Sequence, residues 1–240
     1  MRYYQWADPM KRQNPDHENT ITLRVWDAPV RIFHWLLVML VFAAWLSTET
    51  GLSGMLYHLW IGHCILALVI FRILWGFGGG FYARFSQFAR HPREIRAAAR
   101  DLIRGQMHDS IGHNPLGGAM VMVLLILLLL QILSGLCADN GFGNVGPVHD
   151  LLPSAMGEAL TEWHEINFNL LLIAIALHIA AIIFYHIRGE RLVVPMISGK
   201  KHLPAERFRG VPQNTNTPWR RAMAMAMVAI ALSFATRLLY

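Results

Sequence analysis

Residues 157–190, GEALTEWHEINFNLLLIAIALHIAAIIFYHIRGE, set His164, His178 and His186 into a run otherwise apolar enough to cross a bilayer. An imidazole in hydrocarbon carries two ring nitrogens that cost free energy unless something binds them. His164 and His178 are 14 residues apart, close to four helical turns, so they share one helix face about 21 Å apart along its axis. His34, in VRIFHWLLV, and His58, in LYHLWIGHCIL, lie in two earlier apolar runs. Paired neutral imidazoles in a helical bundle, with no carboxylate or thiolate beside them, suit bis-histidine ligation of a haem iron. Gly62 and Ala174 lie close to these positions and leave room for a porphyrin.

The elements that must position these side chains are membrane helices. Of 240 residues, 55% are hydrophobic and only 15% charged, far from the balance of a soluble domain. Runs of about 20 residues are needed to cross the hydrocarbon, and five are present, near 32–49, 56–77, 117–138, 163–187 and 219–238. Asp27 and Pro29 form a helix start ahead of the first. Arginines and lysines gather before span one, after span two and after span four, whereas 50–55 and 139–162 hold none. Positive flanks stay in the cytoplasm, so the N-terminus is cytoplasmic and the other connections face the periplasm of a Gram-negative inner membrane. This orientation puts His34 and His178 at an inner depth and His58 and His164 at an outer one. The expected organisation is a polar cytoplasmic extension over 1–25, a four-helix core over 26–190, a cytoplasmic linker over 191–218 and a fifth transmembrane helix over 219–240. The fold class is an all-α integral membrane protein. HPREIRAAARDLIRG, at 91–105, reads as an amphipathic surface helix, and a short helix is expected near 155–161 in the long outer loop.

Arg72 follows His58 by 14 residues on the same face, at the inner depth. A haem propionate would supply its counter-charge, and snorkelling to the interface is the alternative. His63, five residues after His58, points elsewhere on the helix. His186 reads as interfacial, and His17, His91, His108, His149 and His202 as solvated. HEINF has Phe168 where a zincin needs its second histidine. Cys64 and Cys137 form no CxxC or CxxCH and read as small buried thiols. The net charge of +6 sits at membrane borders, where topology and anionic lipid account for it and nucleic acid does not.

APVRIFHW at the head of span one, a histidine opening span two with arginine 14 residues on, GHNPL before span three and the histidine pair on span four keep their order and spacing. Over about residues 22–203 the chain resembles the bacterial di-haem cytochrome b family, which includes the cytochrome b561 proteins and the b-type subunits of nickel–iron hydrogenases. The resemblance implies two haem b groups with His34, His58, His164 and His178 as axial ligands, and transmembrane electron transfer between a periplasmic redox partner and the quinone pool. That partner would be a c-type cytochrome, a hydrogenase, or another dehydrogenase or reductase. It also implies a quinone near the inner haem, with His113 and Asn114 as contacts or, equally, as the cap of span three. The N-terminal extension and the fifth span lie outside the family core. Two other readings remain. One is a stand-alone superoxide:quinone oxidoreductase, which needs a basic outer funnel where the sequence offers Asp139, Asp150, Glu158 and Glu162. The other is a haem-free membrane anchor or zinc transporter, although Glu49, Glu162 and Glu165 all lie near outer span ends.

Overall fold

A computed structural model describes residues 20–50, 52–106, 110–139, 145–204 and 217–239. The described elements run β1 (Thr20–Arg24), α1 (Ala28–Thr48), α2 (Leu52–Gly78), α3 (Phe85–Phe88), α4 (Pro92–Ile103), α5 (Pro115–Gly135), α6 (Ser154–Ile187), α7 (Val193–Ser198), β2 (Lys200–Pro204) and α8 (Trp219–Ala235). Five of the helices, α1, α2, α5, α6 and α8, are long and apolar enough to cross a membrane, as the apolar runs predict. They alternate in direction. The end where α1 begins is called proximal below, and the opposite end distal.

Helix starts follow local chemistry. Asp27 caps α1 by accepting from Val30 N at 3.0 Å, and Asn114 caps α5 by accepting from Gly117 N at 2.6 Å, with Pro29 and Pro115 suited to first-turn positions that need no N–H. Two expectations change. The short helix near 155–161 is not separate: α6 is one helix of 34 residues, because neither proline nor glycine interrupts the chain between Glu158 and Ile187. At about 1.5 Å per residue it exceeds the hydrocarbon thickness, so its distal turns project beyond it. The 191–218 segment is also not irregular throughout. β2 pairs antiparallel with β1, from Thr20↔Pro204 to Arg24↔Lys200, and Leu23, Val25, Tyr82 and Leu203 form a small core beneath this ribbon.

Packing divides the bundle. α1 packs along α2, α5 along α6, and α2 also touches α5. α6 makes no extended contact with α1 or α2, which leaves a seam between the two helix pairs. α8 packs on α2 through Ala222, Ala229 and Ser233, small residues on one face that allow close approach. Ser233 Oγ donates to His63 O at 2.7 Å, and Arg221 donates to Gly78 O at 2.9 Å. Cys64 is exposed on the outer face of α2, and Cys137 is half-buried in the turn that follows α5, so neither is the buried thiol expected.

The proximal end is organised by Asp27, whose side chain is buried. Besides capping α1, it accepts from Trp75 Nε1 at 3.1 Å and from Gly80 N at 3.2 Å, joining the start of α1 to the end of α2. Burial pushes its pKa up from 3.8, while the three N–H donors and Arg72 oppose that rise. Replacing Asp27 with Ala strands all three donors and removes the carboxylate nearest the buried Arg72. Asp27→Ala is expected to cost about 3 kcal/mol or more and Asp27→Asn less, read as loss of thermal stability in detergent. An unchanged melting temperature in Asp27→Ala would show that this hub is dispensable.

Candidate functional site

The seam between the helix pairs is bridged by histidines. Near the distal end, the His58 and His164 rings face each other with centroids 6.2 Å apart and planes at 80°. Each has its Nδ1 held by its own protein. His58 Nδ1 lies 3.0 Å from Ala44 O and 3.3 Å from Ser47 Oγ, and since a carbonyl only accepts, this nitrogen carries the proton. His164 Nδ1 lies 3.1 Å from Ser134 Oγ, whose own proton goes to Leu130 O or Gln131 O. Both rings are thereby set with Nε2 as the lone-pair atom, the tautomer a metal-binding histidine needs. His58 and His164 would hold a metal between them from α2 and α6, with the 6.2 Å centroid separation leaving room for one.

Near the proximal end, His178 on α6 lies within electrostatic reach of both His34 on α1 and His113 just before α5. Here the protein leaves polar atoms unsatisfied: His34 Nδ1, Arg72 Nη1 and His113 Nδ1 are buried without hydrogen-bond partners. Arg72 is 3% exposed and does not snorkel. Its guanidinium stacks on the Phe85 and Phe88 rings at 5.2 and 5.7 Å, and Asp27 is its nearest charge influence. His113 is held between Trp26 and Phe88, at 4.6 and 4.7 Å between centroids. The buried guanidinium donor of Arg72 marks a place for an acceptor the chain itself does not supply. At Gly62, four residues after His58, an added Cβ would meet nothing within 4 Å, so space remains beside the ring. The facing imidazoles fit a metal-centred group between them, and the unpaired Arg72 Nη1 fits an acidic arm at the proximal end.

Several supporting residues escape a search for histidines. Asn167 is buried and donates to Gln131 Oε1 at 2.6 Å and Leu127 O at 2.9 Å, and Gln131 donates to His164 O at 3.0 Å. Their signal is positional: Gln131 and Ser134 are three apart on α5, and Asn167 is three after His164. Asn114 caps α5, and its side-chain amide also donates to Tyr185 Oη at 2.8 Å. His63 is buried, its Nδ1 2.8 Å from Leu59 O and its ring near Phe234, on the α8 side rather than in the seam. His186 is exposed. His91 accepts from Arg93 N at 3.2 Å, and exposed His202 bonds Thr22 at 2.9 Å. His149, expected to be solvated, is instead half-buried, 3.1 Å from Cys137 O and packed against Gly157, because the distal loop folds back onto the start of α6. His17 and His108 lie outside the described residues.

A multi-pass helical membrane protein with imidazoles facing across a seam belongs to the class that binds metal cofactors inside a bundle. A family model described as prokaryotic cytochrome b561 matches residues 25–199, and the chain belongs to this family. It is a b-type cytochrome of membrane electron transfer, from a family that binds haem b. No curated protein and no solved structure matches the chain. The matched region ends before α8.

His113 generates a pH prediction. Burial, with Arg72 and His178 nearby, holds its imidazole down at about 3 against an ordinary 6.5. The folded chain refuses a proton that the unfolded chain accepts below 6.5, so this group lowers stability as pH falls from 6.5 toward 3 and has no effect above. His113→Gln should flatten that acid limb, by about 2 kcal/mol near pH 5, followed as melting temperature against pH. Parallel curves for parent and variant would exclude a buried neutral His113.

Proposed function

We propose that this chain is a di-haem b-type cytochrome that carries electrons across the bacterial inner membrane between a periplasmic redox protein and the quinone pool. The observation that carries the reading is the facing pair His58 and His164, supported by His178 lying within electrostatic reach of His34 and by the unpaired Nη1 of buried Arg72. In this assignment His58 and His164 hold one haem b near the distal, periplasmic side, and His34 and His178 hold the other near the proximal, cytoplasmic side, with the N-terminus cytoplasmic. Haem iron between two imidazoles supplies a one-electron carrier.

The chain's own groups then have definable tasks. Ala44 O, Ser47 and Ser134 fix the tautomer and direction of the distal imidazoles. Arg72 offers its free Nη1 to a propionate, and its stacking on Phe85 and Phe88 keeps the charge desolvated, where it acts most strongly. His113 and Asn114 stand beside the proximal level as contacts for a quinone headgroup, with Tyr185 orienting the Asn114 amide. At the distal end Asp139, His149, Glu158, Glu162 and Glu165 line an open hollow. Its acidity favours docking of a basic partner such as a c-type cytochrome, and opposes the superoxide reading, which needs an anion-attracting funnel. The zinc-relay reading lacks support: among the described residues, no three of His, Cys, Asp or Glu converge on one metal position.

The primary test is haem quantification with a reduced-minus-oxidised spectrum. About two non-covalent b haems are expected in the parent, and one each in His164→Ala and His178→Ala; unchanged haem in both variants overturns the assignment. A separate prediction concerns Gly135, where an added Cβ would lie 2.7 Å from His164 Cε1. Gly135→Ala should rotate that ring off Ser134 and alter or remove the signal of one haem while sparing the other. Loss of both, or of neither, would place Gly135 outside the distal site.

A further inference from the structure

One helix has no task in electron transfer. α4 is 12 residues long and stands between α2 and α5 in the chain. At 100° per residue, Arg93, Arg96, Arg100 and the capping Arg104 fall within an arc of about 80°, and Ile95, Ala98, Ala99 and Leu102 fall opposite them. The surroundings follow this division. The apolar arc is half-buried against α5, and all four arginines are exposed. The acidic residues of the helix stay to one flank: Glu94 pairs with Arg90 at 3.9 Å, and Asp101 lies beside it. On the other flank Ile103 is 86% exposed.

The level of this helix is fixed. Arg188, at the proximal end of α6, donates to Gly105 O at 3.1 Å, and Gly105 ends α4 with φ of 75°. The same rim exposes Ile187 at 76% and Ile197 at 60%, so the arginine row lies where the apolar belt gives way to water. We propose that α4 docks on anionic phospholipid, with Arg93, Arg96, Arg100 and Arg104 binding headgroup phosphates and Ile103 entering the acyl layer. Guanidinium forks match phosphate oxygens and are attracted to an anionic leaflet. An acidic soluble protein would use the charges but would leave Ile103 in water. Docking also bears on the proximal site, because α3 leads directly into α4 and its Phe88 covers both Arg72 and His113.

The test uses the intact parent protein in nanodiscs of phosphatidylcholine alone or with phosphatidylglycerol. Amide exchange over residues 92–104 should slow about fivefold with phosphatidylglycerol, and native mass spectrometry should find that lipid retained in preference to phosphatidylcholine. Both effects should disappear when the four arginines are changed to Gln and persist when they are changed to Lys. Equal exchange and equal retention in the two lipids overturn the proposal without any variant. An equal slowing by inorganic phosphate in phosphatidylcholine discs also overturns it, assigning the row to free phosphate.

Discussion

An imidazole in hydrocarbon must satisfy two nitrogens, and this constraint orders the bundle. Backbone and hydroxyl groups of α1 and α5 satisfy Nδ1 of His58 and His164, which leaves each Nε2 lone pair for a donor or a metal. Apolar packing joins α2, α5 and α6 midway through Ile65, Leu66, Val69, Leu128, Ile132 and Leu171, and His164 and His178 lie seven residues to either side of Leu171. On the proposed assignment the cofactor completes both the hydrogen-bonding and the packing. α6 then rests on α5 by direct contact and on α1 and α2 through ligand bonds, so cofactor binding and final assembly are linked. His63 shows the contrast. Its Nε2 is equally unpartnered, but it lies against α8 with no imidazole opposite, so the same residue type on the same helix has no partner across the seam.

Charge at the proximal end obeys the same economy of partners. Arg72 and Asp27 are both almost wholly buried, yet three neutral N–H donors saturate Asp27 while Arg72 keeps an unpaired nitrogen. The carboxylate is therefore committed to joining α1, α2 and the Gly80 turn, and balances Arg72 only through the field. A cation with a balanced charge and an unused donor can accept an acidic ligand without a large rearrangement. The β1–β2 ribbon completes this end. It ties the chain before α1 to the chain after α6, and Arg31 and Trp35 reach across to the backbone of Ile197 and Met196. The proximal ends of α1 and α6 are thereby tied together, and the distal connection ties α5 to α6 through Asp139 N to Thr161 and His149 to Cys137 O.

The spans were legible because apolar runs of membrane length need no tertiary information, and the facing of His58 and His164 because alternating helix direction converts chain position into depth. Asp27 and Asn114 were legible as caps, since capping is local. The β1–β2 pairing was not: Thr20 and Pro204 are 184 residues apart, and five residues on each side are too few for alternation to stand out. The Nδ1 partner of His58 is a carbonyl, which every residue possesses, so no side-chain pattern marks it. Whether Arg72 snorkels or is enclosed depends on Phe85 and Phe88 folding back over α2, a tertiary event that its own helix does not encode. Cys64 was misplaced for a related reason, because in a membrane bundle exposed and buried faces are equally apolar and hydropathy no longer reports burial.

A single helix supplies one histidine to each level, and this has a geometric consequence. Fourteen uninterrupted residues of α6 set the spacing of His164 and His178 at about 21 Å, and no glycine or proline lies between them to let it vary. The opposing histidines come from two antiparallel helices, His34 six residues after the start of α1 and His58 six after the start of α2. A shift of α1 against α2 would change their difference in depth while the spacing on α6 stayed fixed, so both pairs can align at only one register of the α1–α2 pair. The α1–α2 packing and the Asp27 bridge to Trp75 and Gly80 select that register. The long helix thus acts as the ruler and the Asp27 hub as the stop against which it is read.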